Sequence, residues 1–185
     1  MLLRHLPNLI CVARMALVWP TVAAIRSGNF ELAMLLFALA AVSDGLDGYL
    51  AKRFHWTSDL GKLLDPAADK LLLVSVFVSA TWLGMVPTWL TAAVVARDAM
   101  IAIGALGFRM WFGPLRGRPT ALSKLNTALQ LAYLLAVMSH AAYRFPSATA
   151  LTALAAITLL TTAASGVDYI TAFARRALSL PAGSH

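Results

Sequence analysis

A chain of 185 residues that is 60% hydrophobic and 12% charged has about half the charge of an ordinary soluble domain, which runs near 25%. A sphere of this size cannot hide so much apolar surface from water, and a mean hydropathy of +0.75 excludes disorder, which needs low hydrophobicity and high charge. The net charge of +7, in so apolar a chain, reads as Lys and Arg facing anionic lipid and not as a nucleic-acid footprint. Cys11 is the single cysteine, so no internal disulfide forms.

A membrane helix takes about 20 residues, which leaves room for at most about six or seven crossings and no separate soluble domain. Hydrophobic runs bounded by charges and turn residues predict six helices. The first covers 8–25 and stops before Arg26-Ser27-Gly28-Asn29. It begins with a positive charge, as a signal peptide does, but Arg14 interrupts the apolar stretch such a peptide needs, so a retained helix is expected. The second covers 30–53. The third starts at Thr57-Ser58-Asp59, whose side chains suit an N-cap, and runs to 83, with a kink expected at Pro66. Gly84-Met85-Val86-Pro87 turns the chain into the fourth, 88–112. A basic loop, Leu115-Arg116-Gly117-Arg118-Pro119, leads to the fifth, 120–143, and Phe145-Pro146-Ser147 to the sixth, 148–175.

The expected fold is therefore all-α: a polytopic membrane protein with six transmembrane helices, one domain over 1–185. Six crossings put both termini on one side with the 53–58 and 113–119 loops. That side collects Arg4, Lys52, Arg53, Lys62, Arg109, Arg116, Arg118, Lys124, Arg175 and Arg176, while the other has only Arg26 and Arg144. Ten cations against two make it cytoplasmic by the positive-inside rule. A multi-pass protein of a bacterial inner membrane, its site facing the cytoplasm, fits this pattern. The tryptophans near the helix ends read as an aromatic belt.

Of eight acidic residues, Asp44, Asp47, Asp65 and Asp69 fall within 26 positions, at the cytoplasmic ends of the second and third helices. Spacings of three and four put each pair on one helix face, and a short turn makes the two helices antiparallel neighbours. Four carboxylates then converge where each costs ~2.5–3.5 kcal/mol to insert. Two divalent cations would cancel the charge, and hard oxygen donors favour Mg²⁺ or Mn²⁺ over zinc. The plainer alternative is a set of interfacial salt bridges to Lys52, Arg53, Lys62 and Lys70. Gly48, Ala51 and Gly61 offer small faces where a flat ring can approach the backbone, although small residues also serve plain helix packing. Lys52 is placed to neutralise a phosphate.

Asp44-Gly45-Leu46-Asp47-Gly48-Tyr49-Leu50-Ala51-Lys52, then Gly61, Asp65 and Asp69 at their spacings, resembles the signature of the CDP-alcohol phosphatidyltransferases over 44–69. One position departs: the family usually has Arg where Lys52 stands, which keeps the charge and loses the bidentate geometry. The resemblance implies a six-helix, homodimeric membrane enzyme with two divalent metals on Asp44, Asp47, Asp65 and Asp69. Asp44, Asp47, Gly48, Ala51, Lys52 and Gly61 would hold the cytidine diphosphate of CDP-diacylglycerol. Asp69 would act as general base on an acceptor hydroxyl, with release of CMP.

Leu6-Pro7-Asn8-Leu9 with Arg14 resembles the branch holding the phosphatidylglycerophosphate synthases and the CDP-diacylglycerol-dependent cardiolipin synthases. Ala96-Arg97-Asp98, Ser123-Lys124-Leu125-Asn126-Thr127 and Thr161-Thr162-Ala163-Ala164-Ser165 look more like the latter, whose acceptor is phosphatidylglycerol; the former use glycerol 3-phosphate. Arg14, Arg97 and Lys124 are the candidate acceptor-binding cations. Arg14 is balanced between that role and snorkelling to the headgroups. Arg97 and Asp98, adjacent on a helix, do not face each other, so each is expected to find its own interhelical partner. A divalent-cation transporter also lines its path with buried carboxylates, but the acidic cluster lies toward one membrane face and no internal repeat is visible. A metal-stabilised structural membrane protein is the third reading.

Overall fold

The computed structural model describes residues 6–54, 59–112 and 120–179, with side chains over 11–43, 45, 68–107 and 120–173. These residues form six α-helices: α1 (Leu6–Arg26), α2 (Phe30–Phe54), α3 (Asp59–Trp82), α4 (Thr88–Phe112), α5 (Ala121–Tyr143) and α6 (Ala148–Ser179). Local chemistry sets the breaks. Gly28 (φ 76°) and Gly84 (φ 71°) take the left-handed conformation that ends α1 and α3, where a side chain would be strained. Thr120 caps α5 through its side chain, which accepts from the Ser123 N–H at 3.2 Å, so α5 begins one residue later than the hydrophobic run alone predicts. Arg144, at φ 59°, closes α5. The predicted caps Thr57 and Ser58 and the basic loop 113–119 lie outside the described residues; Pro66 lies within α3, its side chain outside those described.

The helices pack in a closed circuit: α1 on α2, α2 on α5, α5 on α6, α6 on α4, α4 on α3 and α3 back on α1. Short turns at 27–29, 83–87 and 144–147 join antiparallel neighbours and gather at one end of the bundle. The apolar core fills that end: Ile25, Phe37, Phe77, Leu90, Leu134 and Met138 are all essentially inaccessible, and Phe77 stacks on Tyr133 at 6.3 Å between centroids. In the other half the buried side chains turn polar: Arg14, Arg97, Asn126, Gln130, Thr162 and Ser165.

Large apolar side chains cover the outside, among them Trp19 (80% exposed), Trp82 (86%) and Ile103 (71%). Among the described residues three helices are long and apolar enough to cross a membrane, over Thr88–Gly107, Ala121–Tyr143 and Ala148–Phe173.

Candidate active site

The polar half holds two separate arginine-centred clusters, and neighbouring residues of α3 anchor one each. A step of one residue turns a helix by about 100°, so Asp69 and Lys70 address different neighbours. Asp69 meets α1, where Arg14 Nη1 donates to its Oδ1. Lys70 Nζ meets α4 and donates to Asp98 Oδ2 at 2.6 Å.

Arg14 sits with its side chain fully buried, while that of Asp69 is 33% exposed. This disposes of snorkelling: the guanidinium turns inward to a carboxylate. Both residues line a cavity of about 40 Å³ shared with Ala40 of α2, Leu72 and Leu73 of α3 and Thr127 of α5. That is room for a few water molecules. Small side chains on α2 and a hydroxyl on α5 thus frame the one carboxylate of the signature whose side chain is described.

In the second cluster the arginine and the acid are both buried, while Lys70 stays 40% exposed. Arg97 Nη1 donates to Asp98 Oδ1 at 2.8 Å, with the two side chains 6% and 7% exposed. Arg97 Nη2 donates to Ser123 Oγ at 2.8 Å and also to Ser165 Oγ. The expectation that adjacent residues 97 and 98 stay apart is therefore corrected. The guanidinium stem is long enough to fold back over its own helix while the fork also reaches α5 and α6. Their interhelical partners exist as well, so α4 is tied to α3 through Asp98 and to α5 and α6 through Arg97. At Gly166 of α6 a Cβ would come 3.4 Å from Met100 Cε and 3.8 Å from Arg97 Cγ, ordinary van der Waals contact, so the approach of α6 does not demand a glycine there. Lys70, which the salt-bridge alternative paired with the signature aspartates, serves this cluster instead.

Deeper on α5, Asn126 is fully buried, and its Oδ1 accepts from Thr162 (2.8 Å) and Thr161 (3.0 Å) of α6. Its Nδ2 and both amide atoms of Gln130, one turn on, are buried without a hydrogen-bond partner among the described residues. Lys124, by contrast, is exposed and makes no ion pair with any described residue. The three expected acceptor-binding cations are thus not brought together. Arg14 faces Asp69, Arg97 is engaged by three protein groups, and Lys124 stands on the surface.

Asp44, Asp47, Gly48, Ala51 and Lys52 lie on α2, and Gly61 and Asp65 on α3, as predicted; their side chains lie outside those described. No group of three or more His, Cys, Asp or Glu forms a metal site among the described residues. Sequence reasoning missed the contribution of Ser123 and Ser165 to the Arg97 cluster. The available signal was hydroxyl residues recurring at three- and four-residue steps on otherwise apolar α5 and α6.

Comparison with known proteins bears on this arrangement. The CDP-alcohol phosphatidyltransferase model matches residues 4–167. The chain is 32% identical over 180 residues to the cardiolipin synthase (CMP-forming) of Homo sapiens, covering 89% of this chain and 60% of that protein. It is 42% identical over 106 residues to the cardiolipin synthase (CMP-forming) of Streptomyces coelicolor, covering 53% of this chain and 48% of the relative. The chain thus spans about half to three fifths of the length of these relatives. With a family match that runs through α1 to most of α6 and includes Arg14, all four aspartates, Arg97 and Asn126, the chain belongs to the CDP-alcohol phosphatidyltransferase family.

Proposed function

We propose that this protein transfers a phosphatidyl group from CDP-diacylglycerol to phosphatidylglycerol, giving cardiolipin and CMP. We read it as a single domain that crosses the membrane six times as a homodimer, with both termini and the site on the cytoplasmic side, in a bacterial inner membrane. The observation that carries this reading is Asp69. It is a signature carboxylate on α3, partly exposed, held by a buried arginine, and it opens on a small cavity beside Thr127. The names of the human and Streptomyces relatives support the choice of acceptor.

The donor set fits a divalent metal. Asp44, Asp47, Asp65 and Asp69 offer hard oxygens alone, and the described member already draws a cation, the Arg14 guanidinium, to its carboxylate. Two bound Mg²⁺ or Mn²⁺ would neutralise the diphosphate and its leaving oxygen. The chain's own residues do the rest. Gly48, Ala51 and Gly61 leave space for cytidine, and Lys52 opposes the diphosphate charge. Asp69 takes the proton of the acceptor hydroxyl. The hydroxyl oxygen bonds to the phosphatidyl phosphorus as the bond from phosphorus to the CMP oxygen breaks, and CMP departs with the electron pair. Arg14 holds the Asp69 carboxylate in place, and orientation of the acceptor supplies much of the acceleration.

The test is acceptor identity. Purified protein given CDP-diacylglycerol with both phosphatidylglycerol and glycerol 3-phosphate should consume the former and accumulate cardiolipin. Phosphatidylglycerophosphate as the sole product would overturn the acceptor assignment and leave phosphatidyl transfer standing. Divalent-cation flux without CMP release would overturn both.

A further inference from the structure

Arg14 has the most buried charged side chain among the described residues, with no exposure at all. It comes from α1, an element without any acidic residue. A guanidinium keeps its proton at any physiological pH, so burial cannot neutralise it as burial can neutralise a lysine. Its charge must be met by a counter-charge, and Asp69 supplies one. Asp69 is also one of the four carboxylates read above as metal ligands. The same carboxylate therefore serves a permanent internal cation and an exchangeable one.

We infer that Arg14 is a resident competitor for the divalent cation at Asp69, a positioning residue that lowers the ion's affinity and keeps the carboxylate from being wholly taken up by metal. This rests on the reading of Asp69 as a metal ligand. The physical basis is repulsion: a single and a double positive charge on one carboxylate lie within a few ångströms of each other, in a setting far less screened than bulk water. Among the described residues the pair opens through the exposed part of Asp69 and the cavity it shares with Thr127. An incoming ion thus meets a carboxylate that the arginine already holds.

A structural role and a competing role predict opposite signs. If Arg14 only held the bundle together, removing it would loosen the site and weaken metal binding. If it competes, removing its charge tightens binding. Full-length protein purified in detergent is titrated with Mn²⁺, and free ion is read by electron paramagnetic resonance before any CDP-diacylglycerol is added. The Mn²⁺ dissociation constant should fall by about tenfold or more for Arg14→Gln. It should change by less than about threefold for Arg14→Lys, which keeps the charge, and rise for Asp69→Asn. Mn²⁺ bound equally or more weakly by Arg14→Gln than by wild type overturns the inference alone. A wild type that binds no Mn²⁺ overturns it together with the metal reading beneath it. Should Arg14→Gln fail to fold in metal-free buffer, Mn²⁺ supplied during extraction will restore its melting transition, since ion and guanidinium are interchangeable counter-charges. A variant still unfolded at saturating Mn²⁺ overturns the inference.

Discussion

The two arginines that are buried among the described residues occupy contrasting surroundings. Arg14 meets a carboxylate that is one-third exposed and borders a cavity, whereas Arg97 meets one that is 7% exposed and also binds hydroxyls from two further helices. The chemistry of the pairs is the same; access differs. Arg97 and Asp98 have exchanged water for each other and three further protein groups, Lys70, Ser123 and Ser165, and behave as a strut joining four helices. Arg14 and Asp69 have kept one side open, so a ligand can still bid for the carboxylate. What separates the two ion pairs is the exposure of the acid, not the burial of the base.

This contrast can be broken by substituting the two acids in turn. With Asp69 as the proposed general base, Asp69→Asn should lower CMP release by about 10²–10⁴-fold per folded molecule, and because it also removes a counter-charge from the buried Arg14 guanidinium it should lower the melting temperature as well. Asp69→Asn with full activity would remove the base from the mechanism. The strut should fail in stability first. Arg97→Met leaves the buried Asp98 with Lys70 as its remaining cation and Ser123 and Ser165 without their donor, and should cost up to about 3–5 kcal/mol of stability, read as a fall in melting temperature in detergent. Adding Asp98→Leu to Arg97→Met should recover most of that loss, because two matched apolar groups replace two charges. A double variant no more stable than Arg97→Met would show that the pair does more than hold helices together.

A smaller effect is expected at the α5 cap. Thr120→Ala removes the acceptor for the Ser123 N–H and should cost about 1 kcal/mol. Because Ser123 also receives Arg97, the loss should grow if the strut depends on a well-formed first turn, and thermal melts of the single and combined variants measure that coupling.

Much of this fold was legible before any coordinates. Every helix lies within a few residues of its predicted span, because apolar runs this long admit one structure and Gly28, Gly84 and Thr120 mark the breaks chemically. The helix that carries each aspartate was legible: Asp44 and Asp47 lie on α2 and Asp65 and Asp69 on α3. Partner choice was not. Periodicity tells which face a residue occupies on its own helix and is silent about which helix comes to face it. Hence the salt-bridge alternative put Lys70 with the signature aspartates, whereas it reaches Asp98, and Arg14 read as equally suited to lipid headgroups. The Arg97–Asp98 contact escaped for another reason: the rule that neighbours diverge applies to Cβ directions, and an arginine is long enough to escape it. Asn126 and Gln130 were visible as polar residues in an apolar run, but the circuit order of helices was needed to show that α6 hydroxyls reach the first and no described group reaches the second.

The most direct test of the proposed reaction uses wild-type protein in vesicles of graded phosphatidylglycerol content, supplied with CDP-diacylglycerol and Mn²⁺ and no glycerol 3-phosphate. Phosphatidyl transfer predicts a CMP release rate that rises and saturates with phosphatidylglycerol, with one cardiolipin formed for each CMP. CMP release that ignores phosphatidylglycerol, or that yields phosphatidic acid in place of cardiolipin, would contradict it.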